Sequence, residues 1–354
     1  MAASGHAPIV VGVDPGPAHH LVLAWGADEA DRREAPLHLV LGQGRPADGK
    51  PARHLGDGAV RERRRLAEHV LRDAVAFVTD RHPRLEVRAQ LAADDPVPLL
   101  RREARTAAAV VLGSGRPSRR KGRFTTASVA PAVVARAACP VVIVRPPCRA
   151  AGPSRHFVVG VDVGVDGRRH SAAAVDQAFA EAALHRAALR VLYVWQPPLL
   201  GVLDEHAALR ECRGLLSEMV ESRRATYRDV EVRQEVVRGR PAQVLARESM
   251  DALGLVVGLR GSGGFTGLLP GSVVHGVLHR ALCPVVVVPR SGGHHPCLVR
   301  PRLNRVARRA RAAAGRRARL LTGVARAWSA TVRRGCRTRL RQGGHVCRGL
   351  GTRG

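Results

Sequence analysis

Four small residues in the second half of the chain have the types and spacing of an anion-binding device. They are Gly258, Gly261, Gly271 and Ser272, in the register Gly-x2-Gly-x9-Gly-Ser. Upstream, Val256-Val257 is a short apolar run that ends at the first glycine. Downstream, Cys283-Pro284 opens a second run, Val285 to Val288. The order is strand, glycine-rich loop, helix N-terminus. The first turn of a helix exposes N–H groups that lack intrahelical partners, and its dipole favours negative charge. Glycine lets such a backbone approach a phosphate with no Cβ in the way. Ser272 can add a hydroxyl donor. The same glycines would also suit a plain connecting loop, so the flanking elements must carry the distinction.

With those flanks, the stretch resembles the ATP-binding motif of the universal stress protein family, with no gap at 258, 261, 271 and 272. The resemblance implies that Arg260, Gly261, Gly271, Ser272 and Val273 cradle the phosphates. It implies that Val257 and Gly258 touch base and ribose, and that Val194 contacts one of them through its main chain. Asp162 is implied on the adenine and ribose side. The cofactor is then ATP, with or without Mg2+, and the partner an adenine nucleotide; a homodimer is a further expectation. The implied role is a nucleotide-dependent regulator or sensor of the stress response. No residue pair forms an obvious base and water-positioning set, so fast hydrolysis is not expected. One departure concerns the nucleoside side. Where the family continues Asp-Gly-Ser, Asp162 is followed by Val163-Gly164-Val165-Asp166-Gly167, a longer stretch in which Asp166 could take the aligned place. Asp162 also reads as a helix N-cap or loop acid.

Strands are expected over 9–14, 37–41, 85–91, 108–113 and 141–145, and helices over 17–33, 57–81, 96–105 and 126–138. The same order then returns. Phe157-Val158-Val159-Gly160-Val161-Asp162 echoes Ile9-Val10-Val11-Gly12-Val13-Asp14, and Leu282-Cys283-Pro284-Val285-Val286 echoes Ala138-Cys139-Pro140-Val141-Val142. Strands follow over 157–162, 190–195, 232–237, 255–258 and 285–288, with helices over 171–186, 204–226, 241–251 and 272–280. This is an internal duplication. Alternating strands and helices imply right-handed crossovers and parallel sheets. The expected class is therefore α/β, two tandem doubly wound parallel five-stranded sheets. The resemblance implies the order 3-2-1-4-5 in each, with the two fifth strands pairing across the junction so that neither edge is exposed. Such sheets bind ligands outside the carboxyl ends of their strands, at the switch in strand order. The expected domains are 1–148, with a degenerate nucleotide loop; 154–290, with the intact one; and an Arg-rich tail, 291–354.

Other motifs carry less. In the first copy Gly113 stands for Gly258, but Ala127-Ser128 replaces Gly271-Ser272, and the loop 116–123 is strongly basic. It reads as an altered anion site or, more simply, a solvated basic loop. Gly44 to Lys50 spells most of a P-loop, yet Pro51 has no oxygen for Mg2+ and the segment follows the second strand. Ser262-Gly263-Gly264 resembles the start of the ATP pyrophosphatase loop but lacks the Asp-Ser that follows it there. Adenylyl transfer on the same architecture is thus an alternative reading.

The chain has 354 residues, room for two domains, and a formal charge of +29. Of its 58 cationic residues, 17 are arginines after Arg290, where there is no Asp, Glu or Lys; the remaining 41 face 29 acids. Such a tail is expected to be disordered or partly helical in isolation and could bind nucleic acid or an anionic surface. Aromatic residues are only 3%, which argues against base stacking as a general theme. The seven cysteines form an odd set without metal-ligand spacing, and a cytoplasmic setting with reduced thiols is expected. No apolar run reaches transmembrane length, and no signal peptide is visible. Because the repeats close at Val288, a chain ending at Arg290 is expected to fold with a nearly unchanged melting temperature. Loss of soluble protein on that truncation would refute this. Any nucleic-acid binding by the full chain is expected to fall with salt and to weaken sharply in the shortened one.

Overall fold

The structure, a computed structural model, describes residues 6–14, 19–44, 57–114, 129–145, 155–163, 167–196, 204–259 and 271–289, with the backbone alone at 57 and 167–170. The first half runs β1 (Ile9–Gly12), α1 (His19–Arg32), β2 (Leu37–Gly42), α2 (Asp57–Arg81), β3 (Val87–Ala92), α3 (Pro96–Glu103), β4 (Ala109–Gly113), α4 (Val129–Val134) and β5 (Val141–Val144). The second half runs β6 (His156–Val161), α5 (Gly167–His185), β7 (Ala188–Trp195), α6 (Glu205–Arg224), β8 (Val232–Arg238), α7 (Pro241–Glu248), β9 (Gly254–Gly258), α8 (Ser272–Arg280) and β10 (Val285–Val288).

The strands read as unbroken Val, Ile and Leu runs because both faces of the sheet are covered. On β1, Ile9 and Val11 join one core cluster while Val10 joins the other. On β10, Val286 and Val288 belong to the first and Val285 and Val287 to the second. The first cluster packs under α1, α2, α5 and α6, and the second under α3, α4, α7 and α8. Proline opens both α3 and α7, where a missing N–H costs nothing. Gly160 lets α7 lie close on β6, since a Cβ there would stand 2.7 Å from Leu245 Cδ1.

Each half has the order 3-2-1-4-5, and the two five-stranded sheets are joined through their fifth strands, the pairing that the resemblance implies. The strands form one ten-stranded sheet, β3-β2-β1-β4-β5-β10-β9-β6-β7-β8. Pairing is parallel within each half. At the junction β5 and β10 are antiparallel, with Val142 opposite Val286. Both edges there are bare Val/Ile strands with unpaired backbone groups, and hydrogen-bonding them to each other satisfies those groups without water.

The junction also buries a ring of charge. Helices α1 and α5 end alike: Glu34 and Arg186 take left-handed conformations, φ 52° and 51°. The N–H of the next residue reaches back to the carbonyl of Ala30 in one and Ala182 in the other. Counting back from these ends, Glu29 corresponds to Glu181, and Arg33 to His185. Glu29 is 1% exposed and Glu181 3%. Arg33 donates to Glu29 Oε1 at 2.7 Å and across the junction to Glu181 Oε1 at 2.5 Å. His185 Nε2 lies 3.1 Å from Glu29 Oε2 and 3.7 Å from Glu181 Oε2. Arg32 and Gln177 complete the shell. Oxygen and nitrogen atoms of Glu29, Glu181 and His185 stand close enough together to hold a metal ion. The two guanidinium groups already balance both carboxylates, so a divalent cation would bury excess positive charge.

Burial pushes the Glu29 carboxyl up, but Arg33, then His185 and Arg32, outweigh it and hold it well below the ordinary carboxylate range. A carboxyl depressed in the folded state adds stability above its unfolded pKa and loses it as pH falls through the folded value. Glu29→Gln removes one member and leaves Arg33 partly uncompensated in a buried place. The expected cost is about 3–5 kcal/mol at neutral pH by urea unfolding. The gap from the parent should shrink as pH drops below about 4. A loss under about 1 kcal/mol, the range of a surface pair, would show that the ring is not what holds the junction.

Candidate functional site

The carboxyl ends of four strands stand side by side in the second half. Gly258 ends β9 opposite Val288 of β10, and Val161 ends β6 opposite Tyr193 of β7. Asp162 follows β6, and Val194 lies next to the Tyr193 position. The chain leaves β6 toward β7 on one side, while β9 returns on its other side, so β6 is the switch strand. A crevice opens beyond such a strand because the two crossovers depart in opposite directions.

The loop that follows β9 is tied at both ends. The Leu259 N–H donates to the Val288 carbonyl at 2.8 Å, and the Gly271 N–H to the Leu259 carbonyl at 3.4 Å. Gly271 is the N-cap of α8, with extended backbone and no side-chain cap. The first bond of the helix proper runs from the His275 N–H to the Gly271 carbonyl. No acid occupies the first turn. The positive end of the helix dipole lies next to the strand switch.

Asp162, Val194, Val257, Gly258, Gly271, Ser272 and Val273 lie at this carboxyl edge. Ser272 is exposed, Val273 half-buried, and Val194 and Val257 are buried with their side chains in the core. Only the main chain of these two valines can therefore face a ligand. Arg260 and Gly261 lie outside the described residues, as do the 116–123 loop, Ala127-Ser128, Asp166, the 262–264 segment, most of the P-loop-like segment and the tail. Helix α8 begins at Ser272, as the spacing predicts. Helix α5 begins at Gly167 rather than at Ser171, so Ser171 is an interior helical residue.

The surroundings of Asp162 were not foreseeable from local sequence. Ser171 Oγ accepts from the Asp162 N–H at 2.8 Å and donates to the Asp162 carbonyl at 3.2 Å. Tyr193 is pushed up to about 12 by burial, then by Cys212 and Asp162. Burial likewise raises the Cys212 and Cys283 thiols, the latter to about 12. These thiols are free and protonated at neutral pH, which makes them poor nucleophiles. At the opposite, amino edge of the sheet, a shallow polar pocket is lined by His156, Arg190, Glu235 and Glu248 among others. Its arginines are largely spent on its own acids, as in the two-point Arg190–Glu235 pair. Among the described residues, no helix is long and apolar enough to cross a membrane.

Comparison with known proteins bears on both halves. The model of the Universal stress protein family matches twice, over residues 6–145 and 155–289. A universal stress protein of Mycobacterium tuberculosis is 34% identical over 292 residues, which cover 80% of this chain and 97% of the relative. One from Mycolicibacterium smegmatis is 31% identical over 288 residues, covering 79% and 96%. The crystal structure of a universal stress protein from Archaeoglobus fulgidus shares the fold at a TM-score of 0.59 and 18% identity, over 80% of this chain and 96% of that one. On these matches the chain belongs to the universal stress protein family, with two copies of the family's domain in tandem.

Proposed function

We propose that the second half binds ATP at the carboxyl edge of β6 and β9, and that the protein acts as a nucleotide-dependent regulator of a stress response. The observation that carries this reading is the start of α8 at Gly271-Ser272, with no acid in its first turn, beside the switch strand. Gly271, Ser272 and Val273 supply main-chain N–H donors and one hydroxyl for the phosphates, with Arg260 and Gly261 completing the cradle. Val257 and Gly258 present main chain to base and ribose, with Val194 beside them. Asp162 supplies an acceptor on the nucleoside side. Mg2+, if it accompanies the nucleotide, is held mainly by phosphate oxygens, since the first turn of α8 contains no carboxylate. A homodimer is left with other faces, because the fifth-strand edges are already paired within the chain.

The two halves are expected to differ. The first lacks the Gly-Ser pair at the corresponding helix start. Titration calorimetry is expected to give about one ATP per chain; two sites of equal affinity would contradict the reading. Gly271→Val places a side chain where phosphate oxygens would lie. Losing two charge-assisted bonds, at roughly 1.5–3 kcal/mol each, weakens ATP binding at least a hundredfold. Ser272→Ala is expected to do less, since the main-chain donors remain. Normal ATP affinity in Gly271→Val with a native circular dichroism spectrum would place the phosphates elsewhere.

A further inference from the structure

We propose that Ser171 is the positioning residue that fixes Asp162 for the nucleoside end of the ligand, an inference that rests on the ATP reading above. Strand β6 ends at Val161, and Asp162 follows it past the last pair with β7. Its half-buried backbone groups need partners. One hydroxyl provides both. Ser171 Oγ accepts from the N–H at 2.8 Å and donates to the carbonyl at 3.2 Å of the same residue.

The clamp is stiff because its base is stiff. Ser171 is 6% exposed, and over the next two turns Ala174, Val175 and Ala178 are fully buried against the sheet. The hydroxyl is therefore placed by a packed helix, and water competes poorly for it. Asp162 lies between the ends of β7 and β9, so the direction of its main chain decides where its carboxylate stands relative to Val194 and Gly258. The first half offers a natural comparison. Counting back from Glu34 and Arg186, the position of Ser171 in α5 is that of His19 in α1. His19 bonds the backbone of Asp14, the residue that corresponds to Asp162. Both copies thus hold the acid after the switch strand from the same helical position. The second does so with a small hydroxyl that engages both backbone groups, the first with a ring.

The test compares ATP, adenosine and tripolyphosphate as probes of the full chain. In Ser171→Ala, affinity for ATP and for adenosine is expected to fall about tenfold, the loss of one buried hydrogen bond's worth, while tripolyphosphate binds as before. Ser171→Thr keeps the hydroxyl and is expected to restore ATP binding. Amide exchange at Asp162 is expected to speed up in the alanine variant alone. In an Asp162→Asn background the alanine change is expected to add nothing, because Ser171 acts through that residue. Unchanged adenosine affinity in Ser171→Ala, an equal loss of tripolyphosphate, or full additivity with Asp162→Asn would each overturn the inference. Failure of the parent chain to bind ATP at all would instead overturn the functional reading beneath it.

Discussion

The antiparallel pairing of β5 with β10 is the constraint on which the rest of the molecule depends. Each half is an open sheet whose last strand, Val141–Val144 or Val285–Val288, would otherwise present an apolar edge with unpaired backbone groups. Such edges template aggregation. Two parallel sheets that meet through equivalent edge strands must meet antiparallel, and the duplicated sequence supplies equivalent strands. The outer edges are treated differently. Strands β3 and β8 carry Arg88 and Gln90, and Arg233, Gln234 and Glu235, which discourage a further strand from joining.

Once the sheets join, side chains far apart in sequence become neighbours. The ends of α1 and α5 meet, and Glu29 and Glu181 become members of a buried ring. Arg145, just beyond β5, crosses to the carbonyls of Leu278 and His279 at the end of α8. A cation at a helix C-terminus complements the dipole. The helix that begins at Ser272 is therefore closed at its far end by the other half of the chain.

The duplication is close in architecture and loose in chemistry. Arg33 and His185 occupy equivalent places, and so do His19 and Ser171, yet the members of each pair differ in size and charge. These differences lie at the carboxyl edge and at the junction, whereas the central strands of both halves are runs of apolar residues, such as Ile9–Val11 and Phe157–Val159. Packing between two covered faces tolerates such exchange when volume and pattern are kept. A ligand site does not, because its donors must stand at set positions. The physical expectation is one fold used twice and a nucleotide held once.

Much of this was legible in the chain itself. The strand and helix order, the duplication and the start of α8 at Ser272 follow from local causes: apolar runs, glycine before a helix, proline at a first turn. The sequence alone determined these because each depends on residues a few positions apart. It did not reveal that Glu29 and Glu181 are buried, or that α5 starts early enough to place Ser171 against Asp162. An acid in a helix looks solvated until a distant arginine and histidine are brought to it. A serine looks like a helix start until a strand end needs its hydroxyl. Those points rest on which segments meet in space: the acids of the ring find partners more than a hundred residues away, and even the Ser171 hydroxyl, nine positions from Asp162, reaches it only because helix and strand pack together.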